Sequence, residues 1–177
     1  MGQPLDPVET LGRRFRRLTL ALILITPCAF GYAVWRFGPL ALLWPAQGVP
    51  VDAAALDALP ALGSLALLGI GSLVPLLWLA VLGLLYRLFG LYARGEVFGL
   101  ENIRLIRRCG IALVLIDVAR IAQSMLLGPV LGALGVAPAH FAIELQASVA
   151  IIGLFIVLIG HVMAVARELE ESDRLTI

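Results

Sequence analysis

Four long apolar runs set the pattern of this chain: roughly Leu18–Trp35, Ala61–Tyr86, Cys109–Leu127 and Ala142–Ala166. Each approaches or exceeds the roughly 20 residues that a helix needs to cross a hydrocarbon core about 30 Å thick. Charge is almost confined to the segments between them. The pattern predicts an all-α integral membrane protein, with four transmembrane helices in one antiparallel bundle. The remaining segments are an outer loop over 36–60, a connector over 87–108 and a tail over 167–177. The first run follows a basic arm, as a signal sequence would, but it is read as a retained span.

Arginine placement gives the sidedness. Arg13, Arg14, Arg16 and Arg17 precede the first run. Arg87, Arg94, Arg104, Arg107 and Arg108 lie in the connector, and Arg167 and Arg174 in the tail. The opposite loops hold only Arg36. By the excess of basic residues in cytoplasmic segments, both termini and the connector are expected in the cytoplasm of a bacterial inner membrane. Tyr86, Phe89 and Tyr92 on the inner side, with Trp35 and Trp44 on the outer, suit the aromatic belts at the two interfaces.

Local signals refine the elements. Pro27 and Pro75 fall near the midpoints of their runs and are read as kinks, tolerated where neighbours satisfy the freed carbonyl. Val51–Leu59, between two prolines, predicts a short surface helix, and Gly128–His140 predicts a compact turn. Past Ala93, Gly95 should end the second helix. A new helix should begin near Gly99 or Leu100, with Glu101 at its positive end. From Leu100 to Leu127 such a helix would run roughly 42 Å, so the third helix is expected to extend into the cytoplasm.

Composition agrees and excludes. The chain has 177 residues, 61% of them hydrophobic, and a mean hydropathy of +1.01; soluble domains average about 45–50% apolar. The net charge of +1 gives no reason to expect direct nucleic-acid binding. Cys28 and Cys109 fall at different depths, which argues against a disulfide. His161 lies in span four and His140 outside it, too few for a haem held between helices. With no metal-ligand cluster, nucleophile–base pair or phosphate-binding loop, neither cofactor nor enzymatic activity is expected.

Two groups of residues are candidates for function. Asp117 and Arg120, three apart on span three, share a face and can pair; Gln123 and Ser124 continue that strip, and Glu144, Gln146 and Ser148 stand on span four. Charge at this depth is costly and faces the bundle interior. The cluster reads either as a network fixing helix register or as a ligand or ion site. Gly153, Gly160 and Ala164 make a small-residue stripe, suited to close packing within the chain or to a homo-oligomer. The second group is on the inner side: Glu96, Phe98, Glu101, Asn102, Arg104 and Arg108 in the connector, with Glu170, Asp173, Leu175 and Ile177 in the tail.

The connector segment Gly95-Glu96-Val97-Phe98-Gly99-Leu100-Glu101-Asn102-Ile103 and the tail Glu168-Leu169-Glu170-Glu171-Ser172-Asp173-Arg174-Leu175-Thr176-Ile177 resemble a bacterial family of small four-span inner-membrane proteins catalogued as a domain of unknown function. Members of that family are often encoded beside a small Cro/repressor-like helix-turn-helix protein. The resemblance therefore implies a membrane-embedded regulatory or sensory protein whose inner loop and tail bind such a regulator. The tail itself reads either as an intramolecular lock, its acids against Arg104, Arg107 or Arg108, or as a docking edge. The alternatives are a small transporter or immunity-type protein using intramembrane carboxylates, or a structural subunit of a larger complex.

Overall fold

The computed structural model describes residues 7–38, 41, 43, 52–96, 99–138 and 147–174. Its architecture is all-α. The helices are α1 (Pro7–Phe37), α2 (Ala53–Asp57), α3 (Ala61–Tyr92), α4 (Leu100–Ala133) and α5 (Ser148–Arg174). Four of them, all but α2, are long and apolar enough to cross a membrane.

These helices bury little of their apolar surface within the protein. In the most apolar 18-residue stretch, the buried share is 6% in α1 and 11% in α5, against 39% in α4. Leu20, Leu22, Leu24 and Ile25 on α1 are exposed, as are Ile152, Leu154, Phe155, Leu158 and Ile159 on α5. At about 25 cal/mol per Å² of apolar area, such surfaces are stable in lipid and not in water.

Contacts divide the chain into two compact units. Unit 1 is drawn from Met1–Leu24, Leu79–Leu115 and Ser148–Ile177. Its small apolar cluster is Leu88, Leu91 and Leu105, flanked by Leu84, Leu85, Tyr92 and Ile106. Close backbone approaches do the rest of the packing. A Cβ on Gly110 would stand 2.6 Å from the Gly153 carbonyl oxygen, and one on Gly153 the same 2.6 Å from that of Gly110. Helices α4 and α5 therefore cross with only hydrogen atoms between them, as small residues allow in membranes. A Cβ on Gly12 would likewise meet the Ala93 nitrogen at 2.7 Å, and Phe15 stacks on Phe89 with ring centroids 5.2 Å apart. Gly160 is buried beside Ile106 and Arg107, whereas Ala164 of the expected stripe is exposed.

Unit 2 comprises Ile25–Trp78 and Ile116–Ala147. Its core is larger and aliphatic: Leu43, Leu56, Leu67, Leu127, Leu131 and Val136 are buried, with Phe30, Val34, Leu59, Ile70 and Val130 against them. Asp52 caps α2, its Oδ1 accepting from the Ala54 and Ala55 amides at 2.9 and 3.3 Å. The Asp52 amide donates to the Val136 carbonyl at 3.0 Å. That bond ties the short helix, and Leu56 with it, to the end of α4.

One expected boundary is corrected. Gly128–His140 is not a turn from its start, because α4 runs on through Gly128 and Pro129 to Ala133. A proline inside a helix costs about 3 kcal/mol. Leu127 and Leu131, four apart on one face, are essentially fully buried, and such leucines are each worth about 2–5 kcal/mol by truncation. Packing outweighs the proline. The helix ends instead at Gly135, at φ +71°. There the Gly135 amide donates to the Gly132 carbonyl and the Val136 amide to that of Leu131, the paired bonds of a Schellman cap. The end of α3 repeats the arrangement as its sequence predicts: Gly95 at φ +77°, Gly95 amide to Tyr92 carbonyl and Glu96 amide to Leu91 carbonyl. Prolines 27 and 75 lie inside continuous helices.

Candidate functional site

The intramembrane cluster of the sequence is only partly drawn together. Asp117 and Arg120 on α4 pair at 3.8 Å, with the carboxylate side chain 4% exposed and the guanidinium side chain 36%. Gln123 is buried, but its amide nitrogen donates to the Ile70 carbonyl of α3 at 2.9 Å. Ile70 precedes Gly71, whose carbonyl loses its usual donor because Pro75 has no N–H. Gln123 thus serves the backbone in the turn that the proline disturbs. Ser124 turns back to its own helix, its hydroxyl donating to the Ile121 carbonyl at 2.8 Å. Ser148 is exposed at the first residue of α5 and belongs to the other unit. Glu144 lies outside the described residues.

The connector candidates are more exposed, with one correction. Asn102, expected on a partner surface, is fully buried. It sits in the first turns of α4 beside Ile103 and Leu105, also buried, so the helix turns this face inward. Glu101, Arg104 and Arg108 are exposed; spaced by three and four, they share the opposite face. Glu96 is exposed as well. Glu170 and Asp173 fall on the last turns of α5, while Phe98, Leu175 and Ile177 lie outside the described residues.

Unit 1 also forms a cleft that no motif announced. It encloses about 290 Å³ and is lined by Arg16, Tyr86, Arg87, Gly90, Leu91, Arg94 and Glu101. Arg16 is fixed over the Tyr86 ring, its guanidinium carbon 4.7 Å from the centroid, and its Nη2 donates to the Tyr86 hydroxyl at 3.0 Å. Arg87 and Glu101 approach at 3.6 Å with both side chains more than half exposed, a loose pair of little energetic weight. Gly90 leaves the floor open: a Cβ there would come no closer than 3.9 Å to Arg16. The sequence held a hint in the spacing of Tyr86, Arg87, Gly90 and Arg94, which places them along one side of a helix. Arg16, seventy residues earlier, joins them only through tertiary packing.

Residues 41–177 match the family model described as a protein of unknown function, DUF2975. The chain belongs to this family. The matched region includes both segments that carried the resemblance and every residue lining the cleft except Arg16, which lies before it. The four long apolar helices fit a four-span membrane family. No curated protein and no solved structure matches the chain.

Proposed function

We propose that this DUF2975 member is a non-enzymatic regulatory or sensory protein of the bacterial inner membrane, and that it binds a small helix-turn-helix regulator at its arginine-rich cytoplasmic end. The reading puts both termini and the connector in the cytoplasm, because eleven of thirteen arginines fall on that side. The observation that carries it is the two-faced start of α4. Asn102, Ile103 and Leu105 anchor the helix inward, which leaves Glu101, Arg104 and Arg108 as an exposed charged stripe. That stripe begins at Glu101, inside the connector segment by which the chain resembles a family often encoded beside such regulators, and continues past its end at Ile103. A charged face on a rigidly seated helix suits a partner held by electrostatic complementarity. On their sequence alone, the tail residues Glu170, Asp173, Leu175 and Ile177 are assigned to the same partner.

The test is co-purification of the full chain with a small helix-turn-helix protein, repeated with Glu168–Ile177 deleted and with Arg104→Glu plus Arg108→Glu. The regulator should accompany the intact chain and be lost from both variants. Its absence from the intact chain, or equal recovery with all three, overturns the proposal.

A further inference from the structure

The cleft of unit 1 has chemistry that the regulator does not require. Three arginines face one carboxylate, so the lining carries a net charge of +2. The three cations are held in different ways. Arg16 is oriented by the Tyr86 ring and hydroxyl. Arg87 has a loose, solvent-screened contact with Glu101, from which a stronger anion can draw it. Arg94 is exposed and, among the described residues, pairs with no carboxylate. An oriented guanidinium, an exchangeable one and an open one, around a floor kept clear by Gly90, make a receptor for a compact oxyanion. Guanidinium forks match phosphate oxygens in pairs.

The cleft's place along the helices narrows the ligand. Arg16 stands just before the apolar run of α1 begins at Leu18, and Tyr86 and Arg87 stand where that of α3 ends. Phe15 stacks on Phe89, Phe89 meets Tyr92 edge-on, and Arg16 covers Tyr86; aromatic residues are enriched where hydrocarbon gives way to headgroups. At about 290 Å³ the space is at the small end of ligand pockets, which run roughly 300–1,000 Å³; it suits a headgroup. Basic pockets between transmembrane helices are a known way of holding anionic lipid headgroups.

We propose that the cleft formed by Arg16, Tyr86, Arg87, Gly90 and Arg94 binds a phosphate group, of the kind carried by an anionic phospholipid or by free phosphate. This goes beyond the regulatory reading and does not depend on it.

The test titrates the full chain in detergent micelles with phosphatidylglycerol and, separately, with phosphatidylcholine, counting retained lipid by native mass spectrometry. The wild type should prefer phosphatidylglycerol. Arg94→Gln should weaken that lipid about fivefold, the equivalent of one arginine near an anionic surface, and leave phosphatidylcholine unchanged. Gly90→Leu removes no charge and favours the helix, yet fills the floor; it should weaken phosphatidylglycerol at least as much. Arg14→Gln removes an exposed arginine outside the cleft and should change nothing. Helical circular dichroism and monodisperse elution establish that each variant is folded, and should Gly90→Leu fail there, Arg94→Gln decides. Inorganic phosphate separates the sources: displacement of the lipid at millimolar concentration shows that the site takes free phosphate, and retention shows that it takes the lipid headgroup. Wild-type affinity in Arg94→Gln, or an equal loss in Arg14→Gln, overturns the proposal. So does indifference of the wild type to both phosphatidylglycerol and inorganic phosphate, which would leave the cleft to an acidic segment of a protein partner.

Discussion

The ends of α3 and α4 close with the same device and serve opposite purposes. Each stops at a glycine in the left-handed region, Gly95 or Gly135, and each reaches back with a six-to-one backbone bond from the next residue. Past Gly135 that residue is Val136, buried in the aliphatic core of unit 2. Past Gly95 it is Glu96, exposed at the head of the connector. The difference extends through the two units. Unit 2 is filled by large side chains around Leu67, Leu127 and Leu131, with the buried polar groups Asp117, Gln123 and Ser124 among its residues. Unit 1 is assembled through absent side chains at Gly12, Gly110 and Gly153 and exposes Arg16, Arg87, Arg94, Arg104 and Arg108. A region built on backbone contact needs few large side chains to cohere, so its remaining positions are free to carry charge and to leave a cleft.

If that contrast is right, unit 2 should fail on losing volume and unit 1 on gaining it. The largest effect is expected for Leu131→Ala, at about 2–5 kcal/mol of stability in reversible unfolding by SDS. Leu88→Ala, in the small cluster of unit 1, should cost less than half as much in the same titration; equal losses would remove the distinction. Next come two identical changes. Gly110→Ala drives a Cβ to 2.6 Å from a carbonyl oxygen and should destabilise by about 1–3 kcal/mol. Gly63→Ala meets the mobile Leu134 and Leu59 methyl groups at 3.2 and 3.4 Å. It should be neutral or gain up to about 1 kcal/mol from helix propensity. Both glycines are helical, so the propensity gain cancels in the comparison and the difference measures the backbone crossing alone.

Smaller effects sharpen the picture at the helix starts. Asp52→Ala removes the cap of α2 and should cost about 1 kcal/mol, seen as faster amide exchange at Ala54 and Ala55 while the backbone amide at position 52 stays protected by the Val136 carbonyl. Gly99 precedes α4, and its carbonyl accepts from the Ile103 amide at 3.2 Å; a Cβ there would meet nothing within 4 Å. Gly99→Ser should therefore stabilise α4 by a few tenths of a kcal/mol, read as a small rise in the SDS midpoint. A loss would mean that the space beside Gly99 is taken by the connector.

Gly95, Leu100 and the short helix within Val51–Leu59 were legible in the sequence because each is a local event: a turn glycine, a first-turn acid, a short run between two prolines. The extension of α4 through Pro129 was not. Gly128 and Pro129 are strong local breakers, and the leucines that override them act by burial against other segments. Asn102 misleads for the same reason. A polar residue among arginines reads as surface, and only packing turned it inward. Gln123 and Asp117 read as one polar strip, yet Gln123 is committed to the Ile70 carbonyl, a bond across 53 positions of chain.

The sequence alone determined what the lipid must see: four apolar stretches of spanning length and the crowding of arginine toward one set of segments. Those properties are additive along the chain, since transfer of a residue to hydrocarbon depends mainly on the residue itself. The tertiary structure decided which glycines touch, which polar groups are spent on backbone, and that Arg16 meets Tyr86, Arg87 and Arg94 around a shared cavity. Those depend on distances between residues far apart in sequence, which no local pattern of hydrophobic and polar positions specifies.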